Sequence, residues 1–257
     1  YTLSLHDALP ISIYMSSNGS TVQLQVNEYD VLCWNNDTEH STTNGIESRE
    51  TACATTGPFS PHGDTQVPQV LDSIFRGQRV LDYPDYMVHS LISSYKVSEE
   101  GQTVTLAPDS MVVTVEIRLH GIKGLENCRK IRGAIDNVAG KRYMAFPNLT
   151  EDRVAVMFDA KADGDVVTAK FWVYGIGPTD FTHIAHKMVA FFWVTGSQVF
   201  IPIDVTESIA RYSTADTYIL IDATADLDLA TYVRHDATGI IVDAEDWEET
   251  EQIPVSF

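Results

Sequence analysis

Among the side chains with reactive chemistry, the close histidine pair His183-x-x-His186 comes first, because on a helix that spacing would turn both rings toward one metal ion. The flanking "GPTDFTH" reads instead as a loop running into a strand, and no cysteine or third histidine nearby supplies the remaining ligands, so no metal is assigned. Asp222, Asp226 and Asp228 in "ATADLDLAT" offer alternating carboxylates. They lack the glycine and terminal glutamate of a calcium loop, and the reading there is a solvated turn. Cys33, Cys53 and Cys128 stand far apart without a C-x-x-C spacing, which excludes a disulfide framework, and Cys33 and Cys128 read as buried small hydrophobes.

Nucleophilic catalysis finds no G-x-S-x-G elbow, since "NGS" at Asn18 and "TGS" at Thr195 are turns. "GIGP" at Gly175 to Pro178 has neither the lysine of a phosphate loop nor the glycine spacing of a dinucleotide site. Glycoside hydrolysis needs two carboxylates, and among 36 acidic residues no pair stands out. No catalytic residue and no cofactor are assigned from these patterns, and a carboxylate-pair hydrolase stays open as a third reading. Asn18, Asn36 and Asn148 lie in glycosylation sequons that matter only in a eukaryotic secreted protein. Trp172, Tyr174 and Trp193 are aromatic side chains on strands, available to stack on a sugar or to pack a core.

Charge narrows the partners. Against the 36 acidic residues stand 17 basic ones, a net charge of −19, which repels nucleic acid and anionic membrane surfaces alike. No apolar run approaches the roughly 20 residues of a membrane span, the nearest being "MVAFFWV" at Met188 to Val194.

The elements that would position these groups are strands. The first residues, "YTLSLHDALPI", put Leu3, Leu5 and Leu9 on no single face, and their codons can spell a widely used sequencing adapter running into Ser12. Residues 1–11 are accordingly set aside as an artefact, expected to form a loose exposed tail. Thr21 to Val26 and Asp30 to Trp34 read as strands, 35–68 as a long polar loop, Gln69 to Arg76 as a short helix stopped by Gly77, and Val88 to Tyr95 as a strand. "SEEGQ" at Ser98 to Gln102 marks a junction between an N-terminal domain, 12–97, and a C-terminal domain, 103–257.

Beyond it the two-residue period sharpens. Val113, Val115, Ile117 and Leu119 share one face of a strand whose other face holds Thr114, Glu116, Arg118 and His120. Val154 to Ala160 and Val167 to Val173 make a hairpin around Asp163-Gly164, and Met188 to Val194 with Val199 to Val205 make a second around Gly196. Met188 to Val194 is apolar on both faces and should be central. Asp204-Val-Thr-Glu207 has capping-box spacing before a short helix. Thr217 to Asp222 and Gln252 to Phe257 complete the strands, and short strands joined by polar turns point to an all-β sandwich.

Four stretches carry a resemblance by their order and spacing: "YDVLCWNNDTEH", "EEGQTVTLAPDSMVVTVEIRLHGIKGLE", "KMVAFFWVTGSQVFIPIDVTESI" and "VDAEDWEETEQIPVSF". Together they resemble Bacteroidales surface lipoproteins of the fimbrial anchor and minor-subunit, fimbrillin-like superfamily. The resemblance implies a non-enzymatic protein with no catalytic residues, built of two transthyretin-like β-sandwich domains, the N-terminal one here without its first strand or strands. It also implies placement at the outer membrane or cell surface through an N-terminal lipid anchor whose signal and cysteine are missing from this sequence. Its expected partners are fimbrial subunits or other surface proteins, joined by strand complementation, with Ile253, Val255 and Phe257 as the inward positions of the complementing strand. Glycans are the alternative ligand, in a polysaccharide-capture role.

Overall fold

The structure is a computed structural model that describes residues 2–5, 8–15, 19–59, 71, 74–146, 152–176, 184–213, 215–233 and 250–252. The expected all-β architecture is present. In chain order the strands of the first part are β1 (Thr2–Leu5), β2 (Ala8–Ser12), β3 (Glu28–Trp34), β4 (Ser41–Asn44), β5 (Cys53–Thr56), β6 (Val80–Asp82), β7 (Val88–Lys96) and β8 (Asp109–Ser110). They are followed by β9 (Val113–Lys123), β10 (Cys128–Ala139), β11 (Lys141–Tyr143), β12 (Arg153–Asp163), β13 (Val166–Val173), β14 (Lys187–Val194), β15 (Ser197–Asp204), β16 (Tyr218–Asp228) and β17 (Thr250–Gln252).

The largest sheet runs β16-β9-β13-β12-β10-β14-β15-β17, with β6 beside β12. It folds on itself because β12 serves both layers. Its first half lies between β10 and β6, while its last residues, Lys161 to Asp163, form the hairpin with β13. Gly164 closes that hairpin at φ 64°, a backbone setting in which a side chain is strained. The layers β13-β9-β16 and β10-β14-β15 thus meet face to face. Val113, Val115, Ile117 and Leu119 of β9 share one core with Met188, Ala190, Phe192 and Val194 of β14 and with Ile219 and Ile221 of β16. Phe158 and Phe171 stack in it at 4.3 Å, and the Phe158 ring occupies the space a Cβ at Gly133 would need.

The strand expected to be apolar on both faces is central, as its pattern requires. Its other face, Val189 and Phe191, is covered by a segment of the N-terminal half, where Phe59, Leu71 and Phe75 are buried against Met157, Phe191 and Phe200. The segment expected to be helical contributes Leu71 and Phe75, joined by the N–H of Phe75 donating to the Leu71 carbonyl at 2.8 Å. Fully burying side chains of this size stabilises by about 1.5–3 kcal/mol each.

Several expectations are corrected. The polar loop over 35–68 contains β4 and β5, which form a three-stranded sheet with β11. Its threonines are β-branched but polar on both faces, so no hydrophobic alternation announces the strands. Cross-strand bonds such as Asn44 Nδ2 to Thr55 Oγ1 at 2.8 Å hold them instead. Among the described residues Thr21 to Val26 pairs with no strand, since alternation specifies a face and not a neighbour. The capping box does not form either. Val205 is the cap position of α1 (Thr206–Ile209), and the Asp204 carboxylate accepts from the Thr206 N–H at 2.9 Å.

The N-terminal tail is not loose. β1 and β2 form a hairpin whose first strand pairs with β3, extending the sheet β2-β1-β3-β7-β8. An open edge pairs with any extended segment because the bonds come from backbone groups, whatever the sequence. The halves on either side of Ser98 to Gln102 also exchange strands. β6 enters the large sheet, while β11 joins β5, and Leu32, Met87, Met144 and Tyr174 share one apolar cluster. Within the N-terminal half the Asp85 carboxylate accepts the N–H groups of Glu39, His40 and Ser41 at 3.1, 2.7 and 2.7 Å.

Candidate binding face

Residues that alternate outward along β9 have their cross-strand neighbours fixed by register. Pairing with β13 on one side and β16 on the other gives three rows: Trp172, Thr114 and Tyr218; Lys170, Glu116 and Leu220; Thr168, Arg118 and Asp222. With neighbouring strands about 4.8 Å apart, the backbones of Trp172 and Tyr218 stand about 10 Å apart, with the short Thr114 between them. Tyr218 is 45% exposed, and Tyr86, 51% exposed, sets its ring 5.7 Å from that of Trp172 at a 54° tilt.

Hydrogen bonds order this face. The Tyr218 hydroxyl donates to Glu116 Oε2 at 2.7 Å, and Arg118 donates to Glu116 Oε1 through Nε at 3.1 Å and Nη2 at 2.8 Å. The Tyr218 hydroxyl first, and Arg118 second, hold the Glu116 carboxyl below its ordinary pKa, while the same contact raises Tyr218. One row further, His120 Nε2 lies 3.1 Å from Asp222 Oδ1. Two aromatic rings thus flank a small residue, beside fixed donors and acceptors of both charge signs. Such an arrangement suits a ligand with apolar faces and hydroxyl rims.

The other residues singled out from sequence scatter. Tyr174 is buried, its hydroxyl donating to Ser41 Oγ at 3.3 Å, and Trp193 packs on Phe191 at a ring separation of 6.2 Å. Of the three aromatic side chains, Trp172 alone lies on the outer polar face. His183 falls outside the described residues. His186 is buried, with Nδ1 3.3 Å from the Asp136 carbonyl oxygen, and burial lowers its pKa. Burial also raises the neighbouring Asp136 carboxyl to about 6, although its Oδ1 accepts the Lys187 N–H at 2.7 Å.

Asp222, Asp226 and Asp228 serve separate contacts. Asp222 meets His120, Asp226 lies 4.0 Å from Lys123, and Asp228 accepts the Ala230 N–H at 3.0 Å. Among the described residues no three His, Cys, Asp or Glu side chains gather to hold a metal ion. The cysteine assignment is corrected: Cys53 is the buried one, and Cys33 and Cys128 are half-buried. Ile253, Val255 and Phe257 fall outside the described residues. Tyr218 and Tyr86 were not found from sequence. Tyr218 shows only the parity opposite to Ile219 and Ile221, and its nearness to Glu116, 102 residues away, depends on pairing.

This geometry can be set beside known proteins. A candidate adhesin from Bacteroides ovatus is 21% identical, with 79% of this chain and 76% of that chain covered at a TM-score of 0.57. A structure described as candidate polysaccharide-binding proteins (DUF1812), from Bacteroides thetaiotaomicron, is 10% identical, with 86% and 80% covered at a TM-score of 0.50. The fimbrial anchor protein Mfa2 of Porphyromonas gingivalis is 11% identical, with 87% and 80% covered at a TM-score of 0.45. The first two share this fold, in accord with the resemblance read from the sequence. No curated protein matches the chain in sequence. Residues 6–159 match the family described as "Domain of unknown function (DUF5119)", more than half of the chain, and the protein therefore belongs to that family.

Proposed function

We propose that the protein is a non-enzymatic component of the bacterial cell surface, an adhesin or fimbrial anchor or accessory subunit, tethered to the outer membrane by an N-terminal lipid. Its means of assembly is strand complementation through Ile253, Val255 and Phe257. The observation that carries this reading is β17. Among the described residues it lies parallel to β15 at the end of the large sheet, pairing Gln198 with Thr250, Val199 with Glu251 and Phe200 with Gln252. The segment that follows starts from a sheet edge, the place at which backbone groups are open to an added or exchanged strand. The fold shared with the candidate adhesin supports the same reading. Deleting Gln252 to Phe257 tests it in a pull-down with purified fimbrial subunits: capture is expected to be lost, and undiminished capture would sink the proposal.

A second reading, glycan capture, is supported by the outer face that carries Trp172 and Tyr218. The fold shared with the candidate polysaccharide-binding proteins agrees with it.

A further inference from the structure

We infer that the outer face of β13, β9 and β16 is a binding site for a neutral polysaccharide, in which Trp172 and Tyr218 receive the apolar faces of sugar rings lying across Thr114. The inference deepens the glycan reading and does not depend on strand exchange. A pyranose ring presents C–H groups on a face and hydroxyls around its rim. It therefore needs an aromatic surface with hydrogen-bonding groups beside it, and the negative face of the aromatic ring attracts those C–H groups.

Both requirements meet in adjacent rows. The Tyr218 ring is held from its tip by Glu116, so binding costs little ordering of that side chain. Trp172 is braced by Tyr86. Glu116 takes two of the five Arg118 N–H groups, leaving three for ligand hydroxyls. Lys170 and the Thr114 hydroxyl supply further partners in the same two rows.

Other occupants fit less well. The rings share one row with Thr114 and are bordered by a row holding Lys170 and Glu116 and then by one holding Arg118 and Asp222, so this face offers no continuous apolar patch of the several hundred Å² typical of protein docking. An anionic polymer would meet a protein of net charge −19. On the face itself Lys170 and Arg118 offset Glu116 and Asp222, which leaves the surroundings of the two rings suited to an uncharged ligand.

Affinity electrophoresis of the full chain tests this, in gels containing amylopectin, galactomannan, arabinoxylan or mixed-linkage β-glucan, with polygalacturonate as the anionic control. Retardation by at least one neutral polymer is expected, weakened about tenfold by Tyr218→Ala and by Trp172→Ala, as loss of an aromatic contact of about 1.4 kcal/mol would give. Trp172 also packs on a core cluster, so Tyr218→Ala and Lys170→Ala, at exposed positions, guard against misfolding as the cause. The chain lacking Gln252 to Phe257 is expected to be retarded as strongly as the intact one, which separates this site from the complementing strand. Failure of all four neutral polymers, retardation by polygalacturonate alone, or undiminished binding by both exposed variants would overturn the inference.

Discussion

Two outer faces of one folded sheet differ in what covers them. Outside β10, β12 and β14, the residues Ala134, Met157, Val189 and Phe191 are apolar and lie beneath Phe59, Leu71 and Phe75. Outside β13, β9 and β16, the corresponding positions hold Lys170, Glu116, Arg118 and Asp222, with Trp172 and Tyr218 at one end. The inner faces of both layers meet in the same core, so burial there does not distinguish them. The contrast lies in the second face. Where it is apolar the chain brings its own cover, and where it is polar the exposed Tyr218 and the half-buried Trp172 present ring surface to a ligand.

Phe75→Ala should break the comparison most strongly. It opens a cavity under the covered face at a cost of about 3–5 kcal/mol, whereas Lys170→Ala on the open face should stay within about 0.5 kcal/mol. Urea unfolding of the two variants side by side measures both, and equal losses would mean that the cover contributes nothing special.

Asp136→Asn probes a polar group on the buried side. Asp136 is raised to about 6 from 3.8 by burial, so the folded state holds its proton more tightly than the unfolded state. The native contribution of this group is therefore present below about pH 4 and lost as pH rises through about 6, a difference of about 3 kcal/mol. Asn keeps an oxygen for the Lys187 N–H and carries no charge. The variant should therefore be more stable than the parent at pH 7, with the gain vanishing near pH 4. His186, lowered by burial, acts with the opposite sign, its contribution fading as pH falls below about 6.5. Stability curves of both proteins from pH 4 to 7 separate the two groups.

Asp85→Ala removes the acceptor shared by three N–H groups of the N-terminal half. A loss of about 1–3 kcal/mol is expected in chemical unfolding, because those donors are left without their partner. The smallest effect belongs to the open face. Tyr218→Phe should return the Glu116 carboxyl toward its ordinary pKa, readable by NMR titration, while stability changes by no more than about 0.5 kcal/mol. If the Glu116 titration does not move, the hydroxyl contact does not order that face.

Legibility in the sequence followed local period. The outward set Thr114, Glu116, Arg118 and His120 was readable from alternation, and Trp172 was singled out as an aromatic side chain on a strand. β10 was not assigned, because "CRKIRGAIDNVA" mixes charge, Gly133 and Asp136 into a buried strand. Those residues are tolerated there because Phe158 fills the space over the glycine and the Lys187 N–H meets the carboxylate. β4 and β5 were hidden for the opposite reason, being polar on both faces. Of the two readings open for Tyr174, packing is the one realised, because its hydroxyl finds Ser41, 133 residues away, which lets an aromatic group with a polar tip be buried.

The amino-acid order by itself determined the all-β class, the inward positions of β9, β13 and β14, and the hairpin turns at Gly164 and Gly196. Each of these follows from a chain's own two-residue repeat or from the backbone setting of a turn. Only the tertiary structure decided that β16 runs parallel beside β9, bringing Tyr218 to Glu116, and that Phe59, Leu71 and Phe75 cover one outer face and not the other. Strand pairing is made by backbone groups that are alike in every residue. Which strands become neighbours is therefore settled by the burial of the whole chain, and no local stretch of sequence carries that information.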